Sequence, residues 1–396
     1  MKKTGKIILL VLVLLLVSLT SYYVGYSKSG AGQTIDLGDG KDDAHINKKL
    51  AEIKKIIDRS YLNEYDKKDM EEGIYKGFVA SLGDIYTQYF TADEFKALNE
   101  QNEGEFGGVG IEVSGENGQF IEVVSPIKDT PADKSGIKTG DKIIAIDGVE
   151  FTASQMTEAV KVMRGEPGKE VKLTIMREID GKNEKLDFDI TREIIQVQSI
   201  HSQMLEDNIG YVRITTFQAH TGEQFKKAVE ELKDKGAEKI VLDLRNNPGG
   251  LLDVTIDIAD YLLPKGTVLN VKDKNGNKQE YTSDEKYMDL PMVTLINGGS
   301  ASASEVLSGA LKDFKRSEIV GENTFGKGVI QQIMDLHDGT GIKVTIAEFF
   351  TPNENKIHGV GIAPTKEVVL NKEATAIGPD ALDQDNQLKE AIELLK

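Results

Sequence analysis

Ser300, Ser302 and Ser304 alternate with alanine in Gly299-Ser300-Ala301-Ser302-Ala303-Ser304-Glu305. The stretch follows the apolar run Val293–Ile296 and a tight Asn297-Gly298-Gly299 turn, and Val306, Leu307 and Leu311 continue it with helical spacing. The serines therefore crowd a strand-to-helix junction, where the first backbone N–H groups of the helix have no partner within it. A serine placed there can attack a carbonyl while those donors hold the oxygen that becomes negative. About twenty-five residues further on, Phe325-Gly326-Lys327-Gly328 sets one lysine between two glycines, which permit positive φ and close backbone approach. The chemistry these residues suggest is a Ser/Lys dyad, in which a neutral amine takes the serine proton and returns it to the leaving amine. A free lysine, with a pKa of about 10.4, is a poor base at neutral pH. Burial can lower it by up to ~3–5 units, and Phe325, Val329 and Ile330 are the neighbours in sequence that could supply an apolar setting.

Blander readings exist for each feature. Small residues at a helix start commonly serve as caps, and a lone lysine is commonly solvated. Gly321 to Gly328, GENTFGKG, nearly matches the phosphate-binding pattern G-x-x-x-x-G-K-[ST]. It departs at Gly328, where a hydroxyl for magnesium is required, and VIQQIMDL after it does not open a clear helix. A nucleotide hydrolase is thus a minor alternative.

The two long motifs, Gly299 to Glu305 and Gly321 to Gly328, resemble those of the carboxyl-terminal processing peptidases, the tail-specific serine proteases of peptidase family S41. The resemblance extends over nearly the whole chain after the apolar N-terminal segment. It implies Ser302 as nucleophile, Lys327 as base, and Gln331, four residues on, as the polar residue that positions the lysine. Asp243-Leu244-Arg245-Asn246-Asn247-Pro248-Gly249-Gly250 also resembles the family, and the resemblance assigns the oxyanion donors to the N–H groups of Gly249 and Ala303. It implies no metal, nucleotide or organic cofactor. Asp313, at a position where some relatives carry an aspartate, lies three helical turns from Ser302 and is read as structural.

Gly104 to about Glu178 resembles a PDZ domain of the circularly permuted bacterial type, through Gly107-Gly108-Val109-Gly110-Ile111, Pro131-Ala132 and Gly136 to Gly148. Physically, a glycine-rich turn before a strand exposes N–H groups that can hold a carboxylate, and an extended peptide can add beside that strand. Gly108, Val109, Gly110 and Ile111 are the expected peptide contacts, with Ser154 to Met163 as the flanking helix. The family resemblance further implies that this domain moves and gates the catalytic site, and Arg164 is the expected joint between the two. Without the resemblance, Gly107 to Gly110 is only a hairpin turn and Arg164 a solvated cation.

The elements around these motifs follow from periodicity. Ile46, Leu50, Ile53, Ile56 and Ile57 share a helical face, and Met70, Ile74, Phe78 and Leu82 mark a second helix. Thr91, with Glu94 three residues on, reads as the cap of a third. These helices are read as packing elements, with a dimer contact as the lesser alternative. Beyond Lys185 the pattern is α/β: strands at Ile209 to Thr215, Glu238 to Leu244 and Lys343 to Phe350, helices at Thr221 to Lys235, Leu251 to Leu263 and Asn386 to Leu395.

Bulk properties restrict the class. The 396 residues carry a net charge of −17, which argues against a general nucleic-acid binder and against broad adhesion to anionic lipid. The absence of cysteine removes disulfides, thiolate metal sites and a cysteine nucleophile. The five histidines, His45, His201, His220, His337 and His358, do not pair at metal-ligand spacing; only His220 and His358 merit checking as a base. Ile7 to Gly25 is uncharged and preceded by three lysines, long enough to span a bilayer with the N-terminus inside. A retained anchor is preferred to a cleaved signal peptide because no A-x-A site follows; both export the remainder.

The expected layout is an α/β multidomain chain. A membrane anchor or signal segment occupies 1–28, a linker 29–43, a helical region 44–103 and a β-rich PDZ domain 104–185. An S41-type Ser/Lys protease core follows at 186–376 and a helical segment at 377–396. The expected function is a membrane-anchored bacterial serine endopeptidase whose catalytic part is extracytoplasmic and takes protein substrates by their exposed C-terminal tails. A homodimer is expected from the resemblance. The alternative is a membrane-tethered PDZ adaptor with an inactive protease fold.

Overall fold

The computed structural model describes residues 44–115 and 118–396. The apolar span and the linker expected before residue 44 lie outside the described residues. Among the described residues, no helix is long and apolar enough to cross a membrane. The chain divides into two compact units, Met1–Glu71 and Glu72–Lys396.

The first unit is built on α1 (Ala44–Ser60). Its apolar stripe is real, but Ile53 and Ile56 remain 46% and 60% exposed. Helix α2 (Lys67–Ala80) contains the boundary between the units.

The second unit opens with β1 (Gln88–Phe90) and α3 (Ala92–Glu103). Thr91 caps α3 reciprocally with Glu94, as their spacing predicts: Glu94 N–H donates to Thr91 Oγ1 at 3.4 Å and Thr91 N–H to Glu94 Oε2 at 3.0 Å. Gly104, in the left-handed region, ends the helix and turns the chain into β2 (Glu105–Gly108).

The next elements are β3 (Ile111–Ser114), β4 (Ile121–Pro126), α4 (Pro131–Ser135), β5 (Lys142–Ile146), β6 (Val149–Glu150), α5 (Met156–Met163), β7 (Glu170–Ile179), β8 (Lys182–Thr191) and β9 (Glu193–Gln196). Strands order as β3-β4-β5-β7-β8, with β6 on β5. Alternate residues such as Ile121, Val123, Val171, Leu173 and Ile175 fill the core, as period-two patterning requires. Strand β3 stands at the sheet edge. Strands β2 and β9, where the domain is entered and left, pair with each other instead, Phe106 opposite Ile195. The boundary drawn at 185 falls inside β8. That strand stays paired to β7 as far as Thr191, and β9 after it pairs with β2.

The remaining chain forms β10 (Ile200–Met204), β11 (Ile209–Ile214), α6 (Thr221–Asp234), β12 (Lys239–Asp243), α7 (Leu252–Leu262), β13 (Gly266–Asp273), β14 (Lys278–Ser283), β15 (Met292–Ile296), α8 (Ala303–Asp313), β16 (Glu318–Gly321), β17 (Val329–Asp335), β18 (Gly341–Phe350), β19 (Lys366–Glu367) and α9 (Asn386–Leu395). The central sheet runs β10-β11-β12-β15-β16-β19, parallel except for β10. Helices α6, α7 and α8 join its parallel strands and pack one apolar core against it; α9 packs a second with Tyr211, Val241 and Leu295. A parallel sheet covered on both faces needs largely apolar strands, and Ile240, Val241 and Leu242 of β12 and Met292, Val293, Leu295 and Ile296 of β15 are buried. A second sheet, β1-β18-β13-β14 with β17 also on β18, stands beside it.

The C-terminal segment, expected to be helical, is locked into the core. Arg245, fully buried, donates to Asp243, to Asp385 and to Gln387 Oε1. Burial pushes the Asp385 carboxyl up, but hydrogen bonds from Arg245 and its charge outweigh this and hold it below the usual range. Charge at these positions is legible in the sequence; the pairing across 140 residues is not.

Candidate active site

Strands β12 and β15 are neighbours and parallel, so the loops at their C-terminal ends, 244–251 and 297–302, emerge side by side. They are stitched together. Ala301 N–H donates to Asn247 O at 3.0 Å, Ser300 Oγ to Leu244 O at 2.8 Å and Ser304 Oγ to Asn247 O at 3.0 Å. Ser300 and Ser304 are fully buried. Ser302 differs from both: it faces a cavity of about 430 Å³, and its hydroxyl donates to no acceptor among the described residues. Its φ of 53° is a conformation that non-glycine residues rarely adopt, a form of backbone strain concentrated at functional sites.

Ser302 precedes α8, and its N–H is held by the Oε2 of Glu305 at 2.8 Å. Glu305 is the residue that unites the site. Fully buried, its carboxyl group also accepts from Lys327 N–H at 2.8 Å, Gly326 N–H at 2.6 Å and Thr324 Oγ1 at 2.6 Å. One side chain thus fixes the backbone on both sides of the proposed dyad. The sequence motif contains it, but nothing local to the motif reveals that it reaches the lysine loop.

Lys327 lines the same cavity as Ser302. Its amine lies 4.9 Å from the centroid of the Tyr86 ring. Its pKa is held below the usual lysine range, first by burial and next by the charge of Lys343, while Glu305 and Asp84 push the other way. The expected apolar setting is only partly right. Val329 and Ile330 line the cavity, whereas Phe325 is 61% exposed. Tyr86 takes the place next to the amine, from a turn 241 residues earlier. No hydrogen bond joins Ser302 Oγ to Lys327 Nζ among the described residues; such contacts commonly tighten only with substrate. Loop 322–328 runs into strand β17 rather than a helix, which removes the strand–loop–helix context that a phosphate-binding loop requires.

Gln331 also lines the cavity, and its amide donates to Val329 O at 3.2 Å. Gly249 has φ 105°, and a Cβ there would lie 2.9 Å from Ser302 Cβ and 3.0 Å from Ala303 N. Only glycine leaves that space open in front of the helix N-terminus. The N–H of Ala303 has no acceptor among the described residues, whereas that of Gly249 donates to Asn247 Oδ1 at 2.9 Å. Helix α3, read as a packing element with a dimer contact as the lesser alternative, supplies a wall of the cavity through Leu98, Gln101 and Asn102. Of the two histidines considered as bases, His220 pairs with Glu105 at 3.0 Å and His358 lies edge-on to Tyr86; neither lines the cavity. Asp313 accepts from Asn353 N–H at 2.9 Å, a loop contact.

In the PDZ region, the turn Gly107 to Gly110 precedes edge strand β3. Gly110 has φ 80°, and a Cβ there would strike Thr130 at 2.4 Å. The N–H groups of Val109 and Gly110 donate to no acceptor among the described residues. Ile111 and Val113 of β3 and Met156 and Val160 of α5 are only partly buried against the core. Arg164 ends α5, with its guanidinium 4.1 Å from the centroid of the Phe106 ring and 3.6 Å from Glu100 of α3.

A parallel α/β core with a strained serine and a half-buried lysine in one cavity, joined to a PDZ fold, defines the class as PDZ-bearing serine-type peptidases. Comparison with known proteins agrees. The model of peptidase family S41 matches residues 208–368 and that of the PDZ domain residues 99–176. Carboxy-terminal processing protease CtpA of Bacillus subtilis (strain 168) is 35% identical over 93% of this chain and 78% of its own length. The carboxy-terminal-processing protease of Bartonella bacilliformis is 40% identical over 82% and 76%. A solved S41 protease of Bacteroides fragilis NCTC 9343 shares the fold, at 14% identity and a TM-score of 0.53, over 85% of this chain and 92% of that one. The chain belongs to the carboxy-terminal processing proteases of peptidase family S41.

Proposed function

We propose that this peptidase works through a Ser302/Lys327 dyad on proteins presented by their C-terminal tails. The observation that carries the reading is the distinction among the three serines: two hydroxyls are buried and bound to backbone, and the third faces the cavity that Lys327 lines. Lys327, its protonated form disfavoured by burial, takes the proton of Ser302 and returns it to the leaving amine. Gln331 orients the lysine. Ala303 N–H and Gly249 N–H hold the oxyanion, the latter exchanging its bond to Asn247 for the developing charge. An acyl-enzyme forms and water resolves it.

The PDZ region takes the substrate's terminal carboxylate at Gly108, Val109, Gly110 and Ile111 and adds the tail beside β3. Arg164 acts in gating, supported by its place between α5 and the cavity-wall helix α3. The uncharged stretch at 7–25 and its flanking lysines support a single-pass anchor with the catalytic part extracytoplasmic. The exposed Ile53 and Ile56 support a homodimer contact through α1.

Cleavage of an unfolded protein with an apolar C-terminal tail tests the dyad. Ser302→Ala and Lys327→Met should each lower kcat/KM by at least ~10³-fold, with folding intact. Full activity in Lys327→Met would remove lysine as the base. No activity in the parent chain, even with tail peptides added, would favour the adaptor.

A further inference from the structure

The catalytic cavity has an unusual charge. The protein as a whole carries −17, yet the only ionisable side chains among the residues lining this cavity are two lysines, Lys327 and Lys343. Lys343 is half-buried on β18, opposite Ile333 of β17 and Gln88 of β1, neither of them charged. Its amine lies 5.4 Å from the centroid of the Phe90 ring. No carboxylate stands within ion-pair distance of it among the described residues. Burying a cation without a counter-ion is costly, so its presence beside the reaction centre calls for a purpose.

We propose that Lys343 is a positioning residue for the reaction, acting through Lys327: sharing one cavity with it and having no carboxylate partner there, its ammonium disfavours a second cation at Lys327 and so favours the neutral amine that can act as base. This rests on Lys327 being the base. A neighbouring cation is a recognised way to activate a lysine, and it acts strongly where water is largely excluded. The groups facing Lys327 are Glu305 from α8, Asp84 and the Tyr86 ring from the turn before β1, and Lys343 from β18. The Phe90 ring faces Lys343, which lines the same cavity as Lys327. The two carboxylates favour the ammonium form of Lys327, and Glu305 is committed to holding backbone N–H groups. Lys343 supplies the opposing charge. Burial also holds Lys343 below the usual lysine range, and an arginine in its place would stay charged at any working pH.

The test is the pH dependence of kcat/KM for peptide hydrolysis by the full chain, with the rate of Ser302 labelling by a fluorophosphonate as a second readout. Lys327 must be neutral to act, so both rates rise as pH passes upward through its pKa. In Lys343→Met that rise should move to higher pH by ~0.5–1 unit. The variant should be about 3–10-fold slower near pH 7 and recover at alkaline pH. Lys343→Arg should keep the parent profile. A Lys343→Met enzyme that is folded but slowed equally at every pH, with the rise unmoved, overturns the proposal; so does a defect confined to KM for acidic substrates. An active Lys327→Met enzyme instead overturns the base assignment beneath it. Lys327→Met inactive and Lys343→Met unshifted would separate the two failures.

Discussion

The joint between the serine and lysine loops and the joint between the PDZ region and the protease core are built from opposite materials. The first is dry. Glu305 is fully buried and accepts from four donors, and Arg245 of the 244–251 loop is equally buried between two aspartates. The second is wet. Arg164 meets Glu100 at 3.6 Å and His220 meets Glu105 at 3.0 Å, both partly exposed. Buried charged networks fall apart expensively when one member is removed, whereas exposed ion pairs contribute roughly 0–1 kcal/mol. The joint between the serine and lysine loops is therefore suited to preorganisation and the PDZ joint to movement.

The comparison can be broken most directly at Arg245. Replacing it with Met leaves Asp243 and Asp385 buried without their partner and should cost about 3–5 kcal/mol of stability. A denaturant-unfolding free energy lowered by less than about 1 kcal/mol would mean the network is not holding the fold.

Glu305→Gln keeps the shape but puts an amide where four donors converge. A loss of about 1–3 kcal/mol is expected from unmatched buried groups, with kcat falling more than KM rises. Equal kcat in the variant would show that the two loops hold their positions without the carboxylate.

The pH profile sharpens the same contrast. With Lys327 depressed by burial and by Lys343, activity should rise through a pKa below the usual lysine range, and should fall as pH drops and the amine protonates. A rise centred at the free-lysine value would show that the cavity does not desolvate the base.

The smallest effects belong to the PDZ joint. Arg164→Ala should change stability by no more than about 1 kcal/mol yet alter the stimulation of activity by tail peptides several-fold. Unchanged basal activity together with unchanged stimulation would sink the gating role of Arg164.

Much of this was legible along the chain. Period-two and helical spacing gave the strands and helices that carry the site, with Thr91 capping where its spacing to Glu94 said it would. The motifs that hold Ser302 and Lys327, and whose order carries the family resemblance, were legible along the chain. Local patterns failed where a contact spans distant segments. Tyr86 replaces Phe325 beside the amine, and Glu105 of β2 pairs with the distant Gln196 of β9. The C-terminal segment is pinned by Asp385 and Gln387.

The division has a physical cause. Secondary structure depends on side chains a few residues apart, which share a helix face or a strand face by fixed geometry, so the sequence by itself determined the elements, the strand-to-helix position of the serines and the acidity of the chain. Which serine faces the cavity, what lies over the lysine, and that two lysines share a space without an acid depend on which loops emerge side by side from neighbouring strands. That is settled only when the sheet assembles and buries its faces, and only the tertiary structure decided it.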